Sequence, residues 1–460
     1  MKAGRGVGFG VKEGDAWRVQ VGLCFGTALV LYVERVAFAL VLTQDAHTHG
    51  LAADSRAKGA VLSAFFYGYA LTQIPAGWAA PTLGGASALS AGCLASVVPT
   101  ALCALATSRA SGQVFLWAAR FLAGCVQGVC FPSIHTVLAA NVPAARRAGA
   151  ASYSTSGMYL GSALGMLLLP PLWQRSGSAV CYLAVATLCA ASGAAWVTAG
   201  DDGPLAAAGH QQQQQKQQQG LLPGPGPPLG SGGGGGGGAG ATPWRIGKGT
   251  PWRAMLGSSA VWTVVASNFA FHYTFFVILN WLPTYYTAQG VDLGTAAGTV
   301  PYLVMFALCN VGGWASDWLV AAGPSVLAVR KGMNTLGFAV CCAALLSVST
   351  ASRRGAASAT AVVACAAGGA AISRAGFAVN HLDIAPSHAG LVLSLANTAG
   401  TLGGAIGVTA TGWVLHSTGG DWDAVFALPI AINAVAAVLF LLFAQATDLF
   451  PFSPSLDDDL

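Results

Sequence analysis

Charged side chains are scarce in this sequence of 460 residues. Asp, Glu, Lys and Arg together make up 8% of the chain and hydrophobic residues make up 54%, whereas a soluble protein carries about 25% charged residues. This composition excludes an ordinary soluble protein and indicates an integral membrane protein embedded in a lipid bilayer. The formal net charge of +5 is too small to suggest nucleic acid as a partner.

Cysteine motifs and targeting signals are also missing. None of the eleven cysteines forms a Cys-x-x-Cys pair, and nearly all fall in apolar stretches, where a free cysteine behaves as a small hydrophobe. We therefore expect no disulfide framework, no metal and no bound cofactor. The first eighteen residues contain two acids and no serine, and the apolar run that follows is too long for a secretory signal, so we expect no cleaved presequence.

Twelve hydrophobic stretches are long enough to cross a bilayer, which takes about 20 helical residues. We number them segments 1 to 12, and they lie at residues 19–43, 57–80, 83–107, 113–140, 148–172, 178–200, 254–288, 294–322, 329–350, 357–381, 387–415 and 422–446. The sequence thus predicts an all-α integral membrane fold. Its twelve transmembrane helices would form two pseudo-symmetric six-helix bundles, at residues 19–200 and 251–447.

The stretch between the two sets, residues 201–250, has a different composition. It contains a glutamine-rich run at Gln211 to Gln219 and an unbroken glycine run at Gly232 to Gly238. Such a segment cannot bury enough apolar area to offset its ordering entropy, so we predict a disordered linker. Lys and Arg outside the segments concentrate on the side of this linker, which predicts that the linker and both termini, residues 1–18 and 448–460, are cytoplasmic.

Three arginines lie well inside predicted spans, away from the ends: Arg35 in segment 1, Arg120 in segment 4 and Arg374 in segment 10. A charge at the centre of a spanning helix costs about 2.5 to 3.5 kcal/mol on insertion scales, so such residues usually serve a polar interior. Segment 7 carries uncharged polar groups instead, in NFAFHYTFFVILN. Polar or charged residues thus recur in the first helix of each three-helix group. Chains built from three-helix repeats place substrate sites between their halves near the bilayer midplane.

Four longer stretches carry a family resemblance: LSAFFYGYALTQIPAGW from Leu62, RFLAGCVQGVCFPSIHTVLAANVP from Arg120, TSGMYLGSALGMLLLPPL from Thr155 and SRAGFAVNHLDIAPSHAGLVLSLANTAG from Ser373. The chain resembles the anion:cation symporter family of the major facilitator superfamily, which includes sodium/phosphate cotransporters, vesicular glutamate transporters and sialin. It is most similar to the Golgi branch of the plant type-4 phosphate transporters. The resemblance implies a monomeric secondary transporter, not an enzyme, that moves inorganic phosphate with Na⁺ or H⁺. It also implies a Golgi membrane rather than a plastid envelope or the plasma membrane.

An arginine suits this task because its planar guanidinium pairs with phosphate or carboxylate and stays charged at any relevant pH. We predict that Arg35, Arg120 and Arg374 bind the anion. Arg120 is expected to be the main ligand, since the resemblance implies substrate contact at its position. Three companions are predicted to donate hydrogen bonds to the anion: Gln127, His272 and Tyr273. A purely structural ion pair remains an alternative for each arginine.

The acidic residue of segment 1, Glu34, points about 100° around the helix from Arg35. We therefore predict a site for the coupled cation or proton at Glu34, with a charge pair to Arg120 as the alternative. Many members of the resembled family carry a glutamate seven residues after the arginine of segment 4. Here that residue is Gln127, which cannot titrate.

A gate is predicted at the cytoplasmic ends of the second half. The adjoining ends of segments 8 and 9 keep Gly313, Asp317, Arg330 and Lys331 of a superfamily loop motif. The resemblance implies that an Asp to Arg contact there holds one gate shut. The corresponding loop of the first half, GWAAPTLGG at residues 77–85, departs from the motif. The alternative is that Arg330 and Lys331 only anchor the topology.

Three other functions remain open at this level. The substrate could be an organic anion such as glutamate or ascorbate, because the resembled family spreads across these substrates. A non-transporting phosphate sensor would bind the anion without moving it. A membrane-embedded enzyme should cluster its catalytic residues in one loop, whereas the polar residues here are spread over one helix in three.

Overall fold

The computed structural model describes residues 16–45, 54–108, 113–143, 146–202, 251–293 and 296–451. Most of the predicted linker at 201–250, most of the N-terminal residues 1–18 and most of the tail at 448–460 lie outside these ranges. The predictions for those three segments therefore stay predictions.

Helix is the regular structure throughout the described chain. The first half contains α1 (Ala16–Gln44), α2 (Ser55–Leu83), α3 (Gly85–Ala95), α4 (Val97–Ser108), α5 (Gln113–Gln127), α6 (Cys130–Asn141) and α7 (Arg147–Ala199). The second half contains α8 (Trp252–Gly257), α9 (Ser259–Ala288), α10 (Ala296–Ala321), α11 (Val326–Leu346), α12 (Val348–Arg353), α13 (Ala356–Ile384), α14 (Ala389–Thr418) and α15 (Trp422–Phe443), with a 3₁₀ turn at Pro386–His388.

The helices account for the twelve predicted crossings. By length and composition, ten helical runs of the described chain can cross a membrane. One of them, Gly149–Ala199, has 51 residues, about twice the length that a bilayer needs. It is broken at Gly177, whose φ of 75° glycine adopts without steric cost, so it crosses twice. The 29-residue helix α2 completes the set, and the predicted fold class is confirmed.

The packing shows the pseudo-symmetry directly. In the first half α1 packs on the first part of α7, α2 packs on α5, and α3 packs on the second part of α7. In the second half α9 packs on α14, α10 on α13, and α11 on α15. The same three pairings of segments therefore recur in both halves. The halves meet through α1 on α9, α2 on α14 and α7 on α10.

Glycine allows the closest of these approaches. A Cβ atom on Gly124 of α5 would lie 1.9 Å from the carbonyl oxygen of Phe65 in α2, and one on Gly161 of α7 would lie 2.1 Å from that of Leu29 in α1. Either alanine substitution would force the helices apart. These contacts hold α5 against α2 and α7 against α1, each about one turn away from the intramembrane charges.

The two halves touch tightly at the end of the molecule where α1 ends and α2 begins. A Cβ atom on Gly412 of α14 would lie 2.4 Å from the carbonyl oxygen of Ser55 and 3.1 Å from the Cα of Gly59 in α2. No side chain fits between the two backbones, so this end is closed. We call it the α1–α2 end, and the predicted topology places it away from the cytoplasm.

Candidate functional site

A buried ion pair joins α1 to α5. Arg120 Nη1 lies 2.9 Å from Glu34 Oε1, and the two side chains are 2% and 3% exposed. The second carboxylate oxygen, Oε2, accepts a hydrogen bond of 2.9 Å from Nε2 of Gln127. Both oxygens of Glu34 are thus engaged, one by a cation and one by an amide.

Gln127 extends this contact to the neighbouring arginine. Its Oε1 accepts a hydrogen bond of 3.4 Å from Nε of Arg35. An amide can donate to a carboxylate and accept from a guanidinium at once, whereas an ionised glutamate can only accept. We call this series of contacts the charge network; it runs from Arg120 through Glu34 and Gln127 to Arg35. The two contacts of Gln127 explain in physical terms why an amide suits position 127.

Aromatic rings enclose the two guanidinium groups. The Arg35 Cζ atom lies 4.4 Å from the ring centroids of both Tyr32 and Phe65, and the Arg120 Cζ atom lies 4.2 Å from that of Phe38. Such contacts are worth about 0.5 to 2 kcal/mol each. Arg35 Nη2 and Arg120 Nε are buried without a hydrogen-bond partner in the described part of the chain, so each arginine keeps an unused donor.

Arg374 lies in α13, on the other side of the boundary between the halves. Its side chain is half-buried; its Cζ lies 4.9 Å from the ring centroid of Phe271 and its guanidinium contacts the Cys309 thiol. Its charge also acts on Tyr32 and Tyr159 of the first half. The guanidinium therefore faces the opposite half of the protein.

The three intramembrane arginines differ in how their charge is balanced. Within the described ranges, Arg120 has a carboxylate partner, whereas no carboxylate lies within ion-pairing distance of Arg35 or Arg374. A charge withdrawn from water without a partner is costly, because the protein interior cannot replace its hydration. The interior between the halves thus carries two positive charges that an anion can neutralise.

Segment 7 contributes His272 to this region. Its Nδ1 lies 2.8 Å from the carbonyl oxygen of Asn268, and the charges of Arg374 and Arg35 both act on the ring. Among the described residues, no arginine charge acts on Tyr273, whose ring packs on α14, where a Cβ on Gly407 would lie 3.1 Å from it. The structure therefore brings His272, but not the Tyr273 ring, into the field of the arginines. Hydrogen bonding of either residue to an anion stays a prediction.

The predicted gate residues have different surroundings from one another. Arg330 Nε lies 2.9 Å from Asp383 Oδ2, and its Nη1 donates a 2.9 Å hydrogen bond to Ser316 Oγ. Asp317 is exposed and Lys331 is half-buried. The acidic partner of Arg330 is thus Asp383, which lies in the sequence motif that begins at Ser373. Because α11 and α13 belong to the same half, this pair fastens two helices of one bundle.

One residue of the closed α1–α2 end was missed by sequence reasoning. Lys58 is not among the predicted site residues, yet it is 4% exposed, and its Nζ donates hydrogen bonds of 2.7 Å to Thr284 Oγ1 and 3.1 Å to Thr43 Oγ1. Thr284 belongs to the second half, so the lysine bridges the halves. Its position inside predicted segment 2, at residues 57–80, was the available signal.

A family model and several named proteins match the chain over most of its length. The model of the Major Facilitator Superfamily matches residues 23–408. "Probable anion transporter 5" of Arabidopsis thaliana is 38% identical over 452 residues, which cover 94% of this chain and 98% of that protein. "Sodium-dependent phosphate transport protein 1, chloroplastic" of the same plant is 31% identical, with coverage of 93% and 78%, and human sialin is 29% identical, with coverage of 85% and 76%.

Solved structures share the fold at low sequence identity. A D-xylose-proton symporter superposes with a TM-score of 0.70 at 12% identity and covers 95% of this chain and 100% of that one. A bacterial homologue of the human lysosomal transporter Spinster, inward-facing and unoccupied, gives a TM-score of 0.69 at 14% identity, with coverage of 97% and 100%. At these identities the likeness speaks for the fold alone.

Proposed function

The chain belongs to the Major Facilitator Superfamily, among relatives that include plant anion transporters, and from this premise we propose that it is a secondary transporter of inorganic phosphate. Phosphate binds between the two six-helix halves, which rock about it so that the site opens to one side of the membrane at a time. A cation, Na⁺ or H⁺, moves with the anion. The protein acts as a monomer, since each chain holds a complete site.

The observation that carries this proposal is the position of Arg374. Its half-buried guanidinium faces the first half without a carboxylate partner among the described residues. Arg35, the other arginine without a carboxylate partner, lies in the first half. An anion that contacts both arginines neutralises one charge from each half, so its binding draws the halves together. That differential binding is what moves an alternating-access equilibrium.

Charge matching favours phosphate over an organic monoanion. The doubly charged form of inorganic phosphate offsets both Arg35 and Arg374, whereas one carboxylate offsets only one of them. Arginine also pairs with phosphate oxygens through two parallel hydrogen bonds. Arg120 joins these ligands only if Glu34 releases it, so the prediction that Arg120 is the main ligand requires the charge network to open.

An organic anion is the second candidate. Tyr32 and Phe65, which stack on Arg35, offer apolar surface that a carbon skeleton can cover and phosphate cannot. A relative of this chain, 30% identical over 432 residues, bears the name "Ascorbate transporter, chloroplastic". An organic anion that outcompetes phosphate would therefore point to a site extended along these rings.

For the membrane, the proposal is the Golgi, on the strength of the segment 4 and segment 10 motifs at Arg120 and Ser373. Relatives named as chloroplastic make the plastid envelope the alternative. A fluorescent fusion of the full chain, imaged beside Golgi and plastid markers, distinguishes the two membranes.

The transport proposal is tested with purified protein in liposomes. Radiolabelled phosphate uptake is measured under an imposed Na⁺ gradient or pH gradient, with unlabelled glutamate, ascorbate or sulfate as competitors. We expect saturable uptake that phosphate itself competes for best. Saturable phosphate binding without flux would identify a sensor. Uptake of ascorbate but not of phosphate would identify an organic-anion transporter.

A further inference from the structure

We propose that His272 is the proton-binding site of the transport cycle, and that its Nε2 takes up the proton that travels with the anion. This role presupposes the anion transport proposed above and names its coupled cation. Among the described titratable groups near Arg35 and Arg374, His272 alone combines three features. Its ring is fixed, one ring nitrogen has no hydrogen bond, and the charges of both arginines act on it.

The acidic candidate of this region is already engaged. Glu34 uses one oxygen to bind Arg120 and the other to accept from Gln127, so protonating it would break the ion pair and leave Arg120 without a partner. Gln127 itself does not titrate. Histidine is the side chain whose charge changes in the range of cellular pH, which directs attention to the histidines near Arg374.

The hydrogen bonds of His272 decide which nitrogen is available. The carbonyl oxygen of Asn268 can only accept, so the Nδ1 atom that lies 2.8 Å from it carries the proton in the neutral ring. Nε2 therefore keeps a lone pair. No hydrogen bond engages Nε2 among the described residues, and the ring is only half-buried, so a proton can reach it when the cavity is hydrated.

The ring is also held rigidly. A Cβ atom on Gly400 of α14 would lie 2.7 Å from the Nδ1 atom of His272, so α14 presses on that side of the ring. Asn268, one turn before the histidine, donates a 2.6 Å hydrogen bond from its Nδ2 to the carbonyl oxygen of Ala396. The helix that presents Nε2 is thus anchored to α14 at the ring and one turn before it.

Every charge that faces the ring in the described structure is positive. Arg374 acts on it from α13 and Arg35 from α1, whereas α14 presents Gly400 and α15 reaches α9 through Asn433, which bonds Thr274. The other ionisable side chains on α8, α14 and α15, or at the ends of these helices, are farther from the ring. Each lies more than two helical turns along the chain from His272 or from the residues that contact α9 near it; they are Arg253, His388, His416, Asp421 and Asp423. Without an anion, the two arginine charges repel a further positive charge at the ring.

An anion reverses this balance. Once phosphate neutralises Arg35 and Arg374, the repulsion between these arginines and a proton on Nε2 is removed, and the protonated nitrogen provides a donor to a phosphate oxygen. By linkage, the proton must strengthen anion binding by the same factor that the anion strengthens proton binding. Couplings of this kind amount to about 5- to 150-fold. Anion and proton therefore load together, which is the requirement for symport.

A second histidine provides the matched control. His135 in α6 lies in the field of Arg374 and of His381, but Arg35 does not act on it as it does on His272. An anion held between the two unpaired arginines thus changes the surroundings of His272 more than those of His135. His135→Gln tests whether any histidine near Arg374 would serve.

The test separates exchange from proton-driven accumulation in liposomes that contain the full-length protein. Phosphate-for-phosphate exchange needs no net proton movement, whereas accumulation under an acid-outside gradient does, and an internal pH dye records the proton influx. We expect His272→Gln to retain exchange at saturating phosphate and to lose phosphate-dependent proton influx and accumulation. Its apparent KM for exchange should rise about 5- to 150-fold at low pH. His135→Gln should keep wild-type coupling.

Each failure has its own signature. Absence of phosphate exchange by the wild type refutes the transport proposal itself. Three results refute only the role of His272. The first is sodium-driven phosphate accumulation without proton influx in the wild type. The others are intact proton influx in His272→Gln and loss of proton influx in His135→Gln. If His272→Gln has a lowered melting temperature, His272→Asn replaces it. Calorimetry in two buffers then measures how many protons each protein takes up when phosphate binds. The wild type and the His272→Asn variant must differ in this number.

Discussion

Arg120 and Glu34 form an ion pair of 2.9 Å in which both side chains are almost fully buried, and the two residues lie 86 positions apart in the chain. The pair ties α5 to α1 inside the first half. It also removes Arg120 from the set of cations that are free to meet an anion in this conformation. This arrangement is the alternative that the sequence left open for an arginine predicted to be the main ligand.

The pair makes a distinct prediction for protein stability. Arg120→Ala should leave Glu34 buried without a cation, which costs about 3 to 5 kcal/mol, so folded yield and melting temperature should fall. Adding Glu34→Gln should restore both. Melting temperatures of the wild type, the two single variants and the double variant in detergent give the coupling. A stable Arg120→Ala protein that no longer binds phosphate would instead support the ligand role.

Arg374 should behave differently, because it has no carboxylate partner to strand. We expect Arg374→Ala to fold and insert normally and to lose phosphate binding, and Arg374→Lys to raise the apparent KM about tenfold, since an ammonium lacks the bidentate geometry. Phosphate uptake and melting temperature are measured together. The control is Arg353→Ala, which removes an exposed arginine. Unchanged uptake in Arg374→Ala would refute the central observation.

Gln127→Glu should introduce a proton dependence that the wild-type network lacks. The new carboxylate would lie against Glu34, whose Oε2 is 2.9 Å from the present amide nitrogen, and two such groups cannot both ionise. One of them must hold a proton, so exchange activity should fall as the pH rises from 5 to 8. Gln127→Met removes the bridge without adding an acid and should show the wild-type profile. Identical profiles for both variants would contradict this reasoning.

We predict that the wild-type lysine at position 58 makes the closed state of the α1–α2 end less stable than an apolar residue would. Burying an amino group costs free energy, either by desolvating its charge or by releasing its proton, and this cost is absent when the end opens to water. Lys58→Met should therefore hold the end closed, slow hydrogen exchange at residues 55–62 and lower the transport rate. Thr284→Val removes the 2.7 Å acceptor and should open the end instead. The control is Arg354→Gln, which changes an exposed basic residue, and the same shift in both test variants would exclude this role.

The partner of Arg330 gives a comparison between two aspartates. Arg330 and Asp383 are 13% and 17% exposed, so Asp383→Asn should cost about 1 to 3 kcal/mol, between the values for surface and buried pairs. Asp317→Asn removes an exposed carboxylate and should change stability by less than about 0.5 kcal/mol. Thermal unfolding of the two variants checks this. A larger loss for Asp317→Asn would favour the loop gate that the sequence motif suggested.

The fold was accessible from the sequence because a bilayer imposes a local rule. A crossing helix must satisfy all its backbone hydrogen bonds internally and present about 20 apolar residues in a row, so each crossing can be recognised by itself. The break at Gly177, which divides α7, falls between predicted segments 5 and 6. The resemblance to the superfamily, carried by contiguous motifs such as the one at Arg120, is confirmed by the family match.

Pairing between distant residues was not accessible in this way. The sequence by itself determined that Arg35, Arg120 and Arg374 lie inside the membrane, since hydropathy is a property of neighbours along the chain. Only the tertiary structure decided that Glu34 neutralises Arg120 and not Arg35, because that choice depends on how α1 is rotated against α5. The energy of a buried charge is fixed by atoms a few ångströms away in space, and helix packing, not sequence distance, determines which atoms those are.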